Sequence, residues 1–279
     1  MAEARLISLR LKRQFSVPLE ADSIAPDLFV GRSIAEIELL AVVHGNIKAR
    51  LGDFFEVEGE ADETIRLHGD LSRVKFVGKA MTRGRVEVFG DVGMHLGAEM
   101  RGGEIVVHGN TGDWAGAEMR GGALRVNGDA GHLLGAAYRG SEKGMRGGTI
   151  LVTGNAGNEV GCSMRRGLIA VGGHVGDFAG AMMLAGSIFV FGRLGLRAGA
   201  GMKRGTIVAY ESGEASCPSL LPTFKLSCDY RPVWLRLALR TLGAGGFPVP
   251  EASLTGVYRR YSGDFTELGK GEILVWISR

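Results

Sequence analysis

The side chains of this 279-residue chain with a claim on chemistry fall into columns. His68 and His108 share the slot of an X-His-Gly triplet, with Phe89 in the slot between them. One zinc ion would need both imidazoles at about 2.1 Å, whereas slots two strands apart lie about 10 Å from each other. They read as solvated or interface histidines. Asp91, Asn110, Asp129 and Asn155 each follow a glycine. Calcium would need denser carboxylate spacing. Asp and Asn suit turns because their side chains hydrogen-bond nearby backbone, and alternating them avoids stacking like charges. Arg101, Arg120, Arg146, Arg165 and Lys203 each follow a methionine, with Leu184 as the gap. Stacked cations repel, so this column must be solvated, paired with acids such as Glu99 and Glu118, or turned to an anionic partner. Cys162, Cys217 and Cys228 show no C-x-x-C spacing, and Cys162 fills a slot otherwise held by Ala98, Ala117, Ala181 and Ala200. No metal, iron–sulfur or zinc, is expected on this chain. No Ser/His/Asp set or carboxylate pair converges, so no catalytic residue is assigned.

What positions these columns is a repeat. G-x-x-G-x-x-x-G begins at Gly90, Gly109, Gly128, Gly154, Gly173 and Gly192, in steps of 19, 19, 26, 19 and 19 residues. The long step holds a seven-residue insert, Tyr138–Gly144. None of these glycine segments leads into a helix or a Gly-Lys-Ser/Thr ending, so phosphate cradling lacks its physical basis. After each repeat methionine comes an alternating run, such as GEIVVHG and GSIFVFG, which is the pattern of a half-buried strand. A fixed period of this size means one unit stacked on itself. The expectation is an all-β chain: a right-handed parallel β-helix with coils of about 19 residues, plus a C-terminal capping segment containing one α-helix. The boundaries predicted are an N-terminal cap over 1–36, the β-helix over 37–212, and a C-terminal extension over 213–279. IELLAVVHG (37–45) and ETIRLHG (63–69) read as early strands.

The extension carries PVWLRLALRTLG, with Pro at the start and Gly past the end of a helix predicted over 232–243. Only Arg236 and Arg240 give it a polar stripe, so most of its circumference must be covered. Outward positions of the late strands (Leu151, Phe189, Phe191, Val208, Tyr210) form an apolar strip that also needs cover. The helix is expected to take part of it and a partner protein the rest. The insert is the first choice for a contact loop, through Tyr138, Arg139 and Lys143. Net charge is +3, too small to imply nucleic acid, and no apolar run is long enough for a membrane span. The N-terminus lacks the apolar core of a signal peptide. A cytoplasmic protein is expected.

G-x-x-G-x-x-x-G at this period, closed by M-R-G-G, resembles a β-helical family with two groups. One is the C-terminal domain of the glutamate synthase large subunit; the other comprises the C subunits of formylmethanofuran dehydrogenases. The tail YRRYSGDFTELGKGEILVW (258–276) resembles the end of the latter. The resemblance covers nearly the whole chain and includes a bacterial branch, the C subunit of the formyltransferase/hydrolase complex of methylotrophs. It implies a non-catalytic scaffold in tetrahydromethanopterin- and methylofuran-linked one-carbon metabolism, from formaldehyde to formate. Zinc hydrolysis would belong to an amidohydrolase-like A subunit and formyl transfer to a D subunit, with this chain bracing A and B. No cofactor would be bound by this chain alone. The methylofuran-type carrier bears a polyglutamate-like tail, so Arg101, Arg120, Arg146 and Arg165 become candidate carrier contacts. The C subunit of an archaeal-type formylmethanofuran dehydrogenase, an independent binding module and a glutamate-synthase-like module are the alternatives.

Overall fold

The computed structural model describes residues 6–60, 62–210 and 218–277. The expected 212/213 boundary and Cys217 lie outside the described residues. The chain is mostly β with few helices. From the N-terminus run β1 (Ile7–Leu11), β2 (Leu19–Glu20), α1 (Pro26–Phe29), α2 (Ile34–Glu38), β3 (Ala41–His44), β4 (Ile47–Arg50), β5 (Phe55–Gly59), β6 (Thr64–His68) and β7 (Val74–Lys75). The repeats supply β8 (Arg85–Phe89), β9 (Glu104–Val107), β10 (Ala123–Val126), β11 (Arg146–Val152), β12 (Arg166–Val171), β13 (Ser187–Val190) and β14 (Arg204–Ala209). The C-terminal part adds β15 (Lys225–Tyr230), α3 (Val233–Ala244), β16 (Val257–Gly263) and β17 (Lys270–Ile277).

One 13-stranded mixed sheet holds the repeats, in the order β15-β16-β17-β14-β13-β12-β11-β10-β9-β8-β6-β1-β5. Every pair from β1 to β17 along that order is parallel, and equivalent residues stack in register: Ile105 on Leu124, Leu124 on Ile150, Ile169 on Ile188, Ile188 on Ile207. The alternation expected of half-buried strands is present, with Ile105, Val107, Ile150, Val152, Ile188 and Val190 fully buried. Branched side chains suit this position because their few rotamers pack well on a pleat.

Two further lines of contact cross the repeats. Bridges link Leu71, Val92, Thr111, Ala130, Ala156, Val175 and Leu194 in succession. The backbone N–H groups of Arg101, Arg120, Arg146, Arg165 and Lys203 donate to the carbonyls of Met81, Met100, Met119, Met145 and Met183 at 2.7–2.8 Å. The repeat methionines are buried beneath this line. Gly122 shows why the residue opening each strand is glycine. Its φ is +83°, and a Cβ there would stand 2.7 Å from both Met100 Cε and the Gly103 carbonyl oxygen.

Both ends of the parallel run are closed by antiparallel strands, β5 on β1 and β16–β15 on β17. Two expectations are corrected here. IELLAVVHG is the end of α2 followed by β3, in a separate four-stranded sheet ordered β4-β3-β2-β7. Ser33 and Glu36 form a reciprocal capping box that starts α2, a signal of the S-x-x-E type present in the sequence. The parallel run also does not finish with the repeats. β17 pairs with β14, placing Gly271 on Gly205 and Ile273 on Ile207, so GKGEILVW supplies one more strand of the same pattern.

The C-terminal helix lies one residue from its predicted span. Leu235, Leu239 and Leu242 bury it against Ala170, Phe189, Val208 and Leu274 on the outward face of the sheet. Arg125 fastens its far end, donating from a guanidinium NH to the Gly245 carbonyl at 2.8 Å. A cation is well placed there, since the last carbonyls of a helix carry its partial negative charge.

Candidate functional site

The basic column is a real surface feature. Arg101, Arg120, Arg165 and Lys203 are exposed and Arg146 is half-buried. Arg146 lies 3.9 Å from Glu118, and Lys203 4.0 Å from Glu267. Arg101, Arg120 and Arg165 have no ion pair with any described residue. Sequence reasoning missed that the band widens on the next position along the chain. Arg166 stands opposite Arg146 in the β11–β12 register, and Arg204 opposite Lys270 between β14 and β17. The doubled RR at 165–166 and KR at 203–204 were the available signal.

The insert folds back onto the molecule through its first residue. Tyr138 is half-buried with its hydroxyl 3.0 Å from His95 Nδ1, and its backbone N–H points to Glu118 Oε1 at 3.4 Å. His95 in turn stacks on Phe76 at 4.4 Å and on Trp114 at 5.5 Å. Burial, with Glu99 and Glu118 nearby, pushes the Tyr138 phenol up to about 12. Burial, helped by Lys75 and Lys79, holds His95 below the ordinary imidazole range, so this pair is neutral at pH 7. Tyr138 is therefore an anchor for its own loop, leaving Arg139, Ser141 and Glu142 exposed and Lys143 half-buried.

The apolar strip is corrected. Leu151, Phe189 and Tyr210, expected in part at a partner interface, are buried by the chain's own tail, and Phe189 is inaccessible. Phe191 is half-buried, stacked on Tyr210 at 4.4 Å and tilted against Phe247 at 5.4 Å. α3 takes part of the strip as expected, and Phe247 and Tyr258 help to fill the share assigned to a partner.

The Asp/Asn column does turn chemistry. Each side-chain oxygen accepts the backbone N–H one repeat on: Asp91 from Asn110, Asn110 from Asp129, Asp129 from Asn155 and Asn155 from His174, at 2.6–2.8 Å. A second column does the same from Asp113 through His132 and Asn158 to Asp177. His132 and His174 take the Asx role by accepting at Nδ1, from Asn158 and Arg193. An imidazole that accepts at Nδ1 carries its proton on Nε2. His68, Phe89 and His108 stack face to face with centroids 4.8 and 4.7 Å apart. Among the described residues, no group of three His, Cys, Asp or Glu could hold a metal. Cys162 packs with Leu133, Ala136 and Ala181, and burial pushes its thiol up, as for a small packing residue rather than a nucleophile.

No family model matches the chain. It is 51% identical over 88 residues to the C subunit of the molybdenum-containing formylmethanofuran dehydrogenase 1 of Methanothermobacter thermautotrophicus, a match covering 31% of this chain and 22% of that one. It is 47% identical over 97 residues to the C subunit of the tungsten-containing formylmethanofuran dehydrogenase 2 of the same organism, covering 33% and 36%. The matched segments thus span less than two thirds of these curated relatives. A chain of the formyltransferase/hydrolase complex FhcABCD from Methylorubrum extorquens, crystallised with methylofuran, superposes with a TM-score of 0.88 at 36% identity. That match covers 96% of this chain and 98% of the other. The chain belongs to the family of these C subunits. The tail motif around Asp264 has a structural role. The Asp264 carboxylate is almost fully buried and accepts from the backbone of Gly201 and from the backbone and hydroxyl of Thr266, at 2.7–3.0 Å. Burial opposes its ionisation, but these hydrogen bonds outweigh it and hold the carboxyl below its usual range.

Proposed function

We propose that this chain is the non-catalytic scaffold subunit of a cytoplasmic formyltransferase/hydrolase complex. That complex would pass a formyl group from tetrahydromethanopterin to a methylofuran-type carrier and hydrolyse it to formate. The observation that carries the reading is the likeness to a FhcABCD chain over nearly the full length of both. Zinc-dependent hydrolysis would sit on an amidohydrolase-like A subunit and formyl transfer on a D subunit, with this chain bracing A and B. The scaffold role is supported by how its polar corner residues are used, since the Asp, Asn and His ladders are committed to holding repeat on repeat.

In this reading each 19-residue repeat is one coil of a right-handed parallel β-helix. The three lines of contact are its faces, residues 1–36 and 213–279 its caps. The insert meets a neighbouring subunit through Arg139 and Lys143. The unpaired Arg101, Arg120 and Arg165, with Arg146, guide the polyanionic tail of the carrier by charge. No helix among the described residues is long and apolar enough to cross a membrane.

Purifying the tagged chain from its own cell and identifying its companions by mass spectrometry tests the assignment. A formyltransferase and an amidohydrolase-like protein in stoichiometric amounts are expected. Molybdenum or tungsten and iron–sulfur subunits would instead favour the dehydrogenase, which the 51% identity to an archaeal relative supports as the second reading.

A further inference from the structure

Helix α3 is covered on one side only. Leu235, Leu239 and Leu242 are buried against the sheet, while Val233, Trp234 and Leu237 are 70%, 39% and 61% exposed on the other side. Val233 and Leu237 stand one turn apart with Trp234 beside them, so they form one ridge rather than scattered residues. A cleft of about 170 Å³ opens next to the ridge, lined by Arg231, Pro232, Val233, Arg236, Leu254 and Tyr258 among others.

The charged side chains of the helix itself are all cationic, with exposed Glu251 on the neighbouring turn. Arg231, Arg236 and Arg240 are exposed, the helix carries no carboxylate, and none of the three is in an ion pair with a described residue. Five strand arginines elsewhere are matched, Arg66 with Glu87, Arg85 and Arg125 with Glu104, Arg259 with Asp229 and Arg260 with Glu272, while Arg166 and Arg204 pair with no described residue. An aromatic anchor, aliphatic neighbours, a socket and unmatched arginines on a rigid element are the composition of an interaction hot spot. The helix is held on its inner face by the sheet and at its end by Arg125, so binding there would cost little ordering.

We propose that the outer face of α3, with its cleft, docks a neighbouring protein subunit through an apolar segment flanked by Asp or Glu. The flanking carboxylates would answer the three arginines, and an apolar side chain would enter the cleft. This rests on the reading of the chain as a subunit of a hetero-oligomeric complex.

The test coexpresses the tagged full-length chain with the three other subunits of the proposed complex and measures their retention by affinity purification and size-exclusion chromatography. Two variants are compared with the unmodified chain, Trp234→Ala/Leu237→Ala and Arg231→Glu/Arg236→Glu/Arg240→Glu. All five positions are exposed, and circular dichroism melting should match that of the unmodified chain. Each variant is expected to weaken assembly at least tenfold, and the loss in the charge variant should be largest at low salt. If both variants assemble like the unmodified chain, the docking surface is wrong and the subunit reading stands. If the unmodified chain assembles with none of the three, the subunit reading fails and the inference goes with it. Flotation with vesicles of phosphatidylcholine and phosphatidylglycerol separates a membrane role. Vesicle binding by the unmodified chain that the Trp234→Ala/Leu237→Ala variant abolishes would overturn the protein-docking assignment.

Discussion

Glu159 holds a φ of 61° at a corner of its repeat, as Trp114 (57°), Phe178 (63°) and Arg197 (57°) do at theirs. A non-glycine residue in this left-handed region costs about 1–2 kcal/mol. Here the cost is offset by hydrogen bonds between repeats, such as Glu159 N–H to the Asp177 carbonyl at 2.8 Å. Glu159→Gly keeps that backbone bond and removes the strain, so it should raise stability by about 1 kcal/mol, read as a higher denaturant midpoint with an unchanged slope. At His174 the side chain is only an acceptor for the next repeat. His174→Asn should melt like the parent chain, whereas His174→Ala should lose about 0.5–1.5 kcal/mol. Asp264 sets an acid limit. Its carboxyl titrates lower in the folded chain than in the unfolded one. Its contribution is therefore complete above the unfolded-state value and is lost as pH falls through the folded-state value. In Asp264→Asn, one of the donors facing the side chain loses its acceptor, at a cost of about 1–3 kcal/mol. A urea titration from neutral pH down through the carboxylate range should show the gap between the two proteins closing.

At the scale of elements, α3 is the piece on which the outer face depends. Leu239 is fully buried at its centre, and Leu239→Ala should destabilise by about 2–5 kcal/mol. A thermal melt that moved by less than a degree would show that the helix is not the cover described. The repeat strands were legible because two periods coincide there, alternation within a strand and 19 residues between strands. The helix was legible from its Pro and Gly ends. β17 was not recognised as a further strand of the same series. Its Gly271-x-Ile273-x-Val275 matches Gly205-x-Ile207-x-Ala209, but α3 and a hairpin intervene and remove the beat by which the others were found. α2 was mistaken for strand because Val42 and Val43 dominate their window, while the capping box lay just upstream of it. The assignment of Leu151, Phe189 and Tyr210 to a partner failed for another reason. Which chain segment covers an outward face is decided by packing between residues far apart in sequence, and neither period carries that information.

For the molecule as a whole, the basic column, of which Arg101, Arg120 and Arg165 pair with no described residue, is where charge has a direction. Replacing Arg101, Arg120 and Arg165 with Gln removes cations that pair with no described residue, so melting temperature and subunit assembly should stay as they were. Turnover with a polyglutamate-bearing carrier should fall several-fold at low salt and converge with the parent at high salt, as steering is screened. Equal kinetics at low salt would remove the column from carrier handling. The in-register stacking described above has a metric consequence as well. Each repeat adds one strand spacing of about 4.8 Å, and each end is closed by antiparallel strands paired with the outermost parallel strand, β1 at one end and β17 at the other. The distance between the two closures is thus a whole number of such steps. Removing residues 109–127 should bring the two closures nearer by one step while every remaining column keeps its alignment. Length in this molecule is counted in strand spacings rather than continuously adjusted, so in the proposed scaffold it would act as a gauge block.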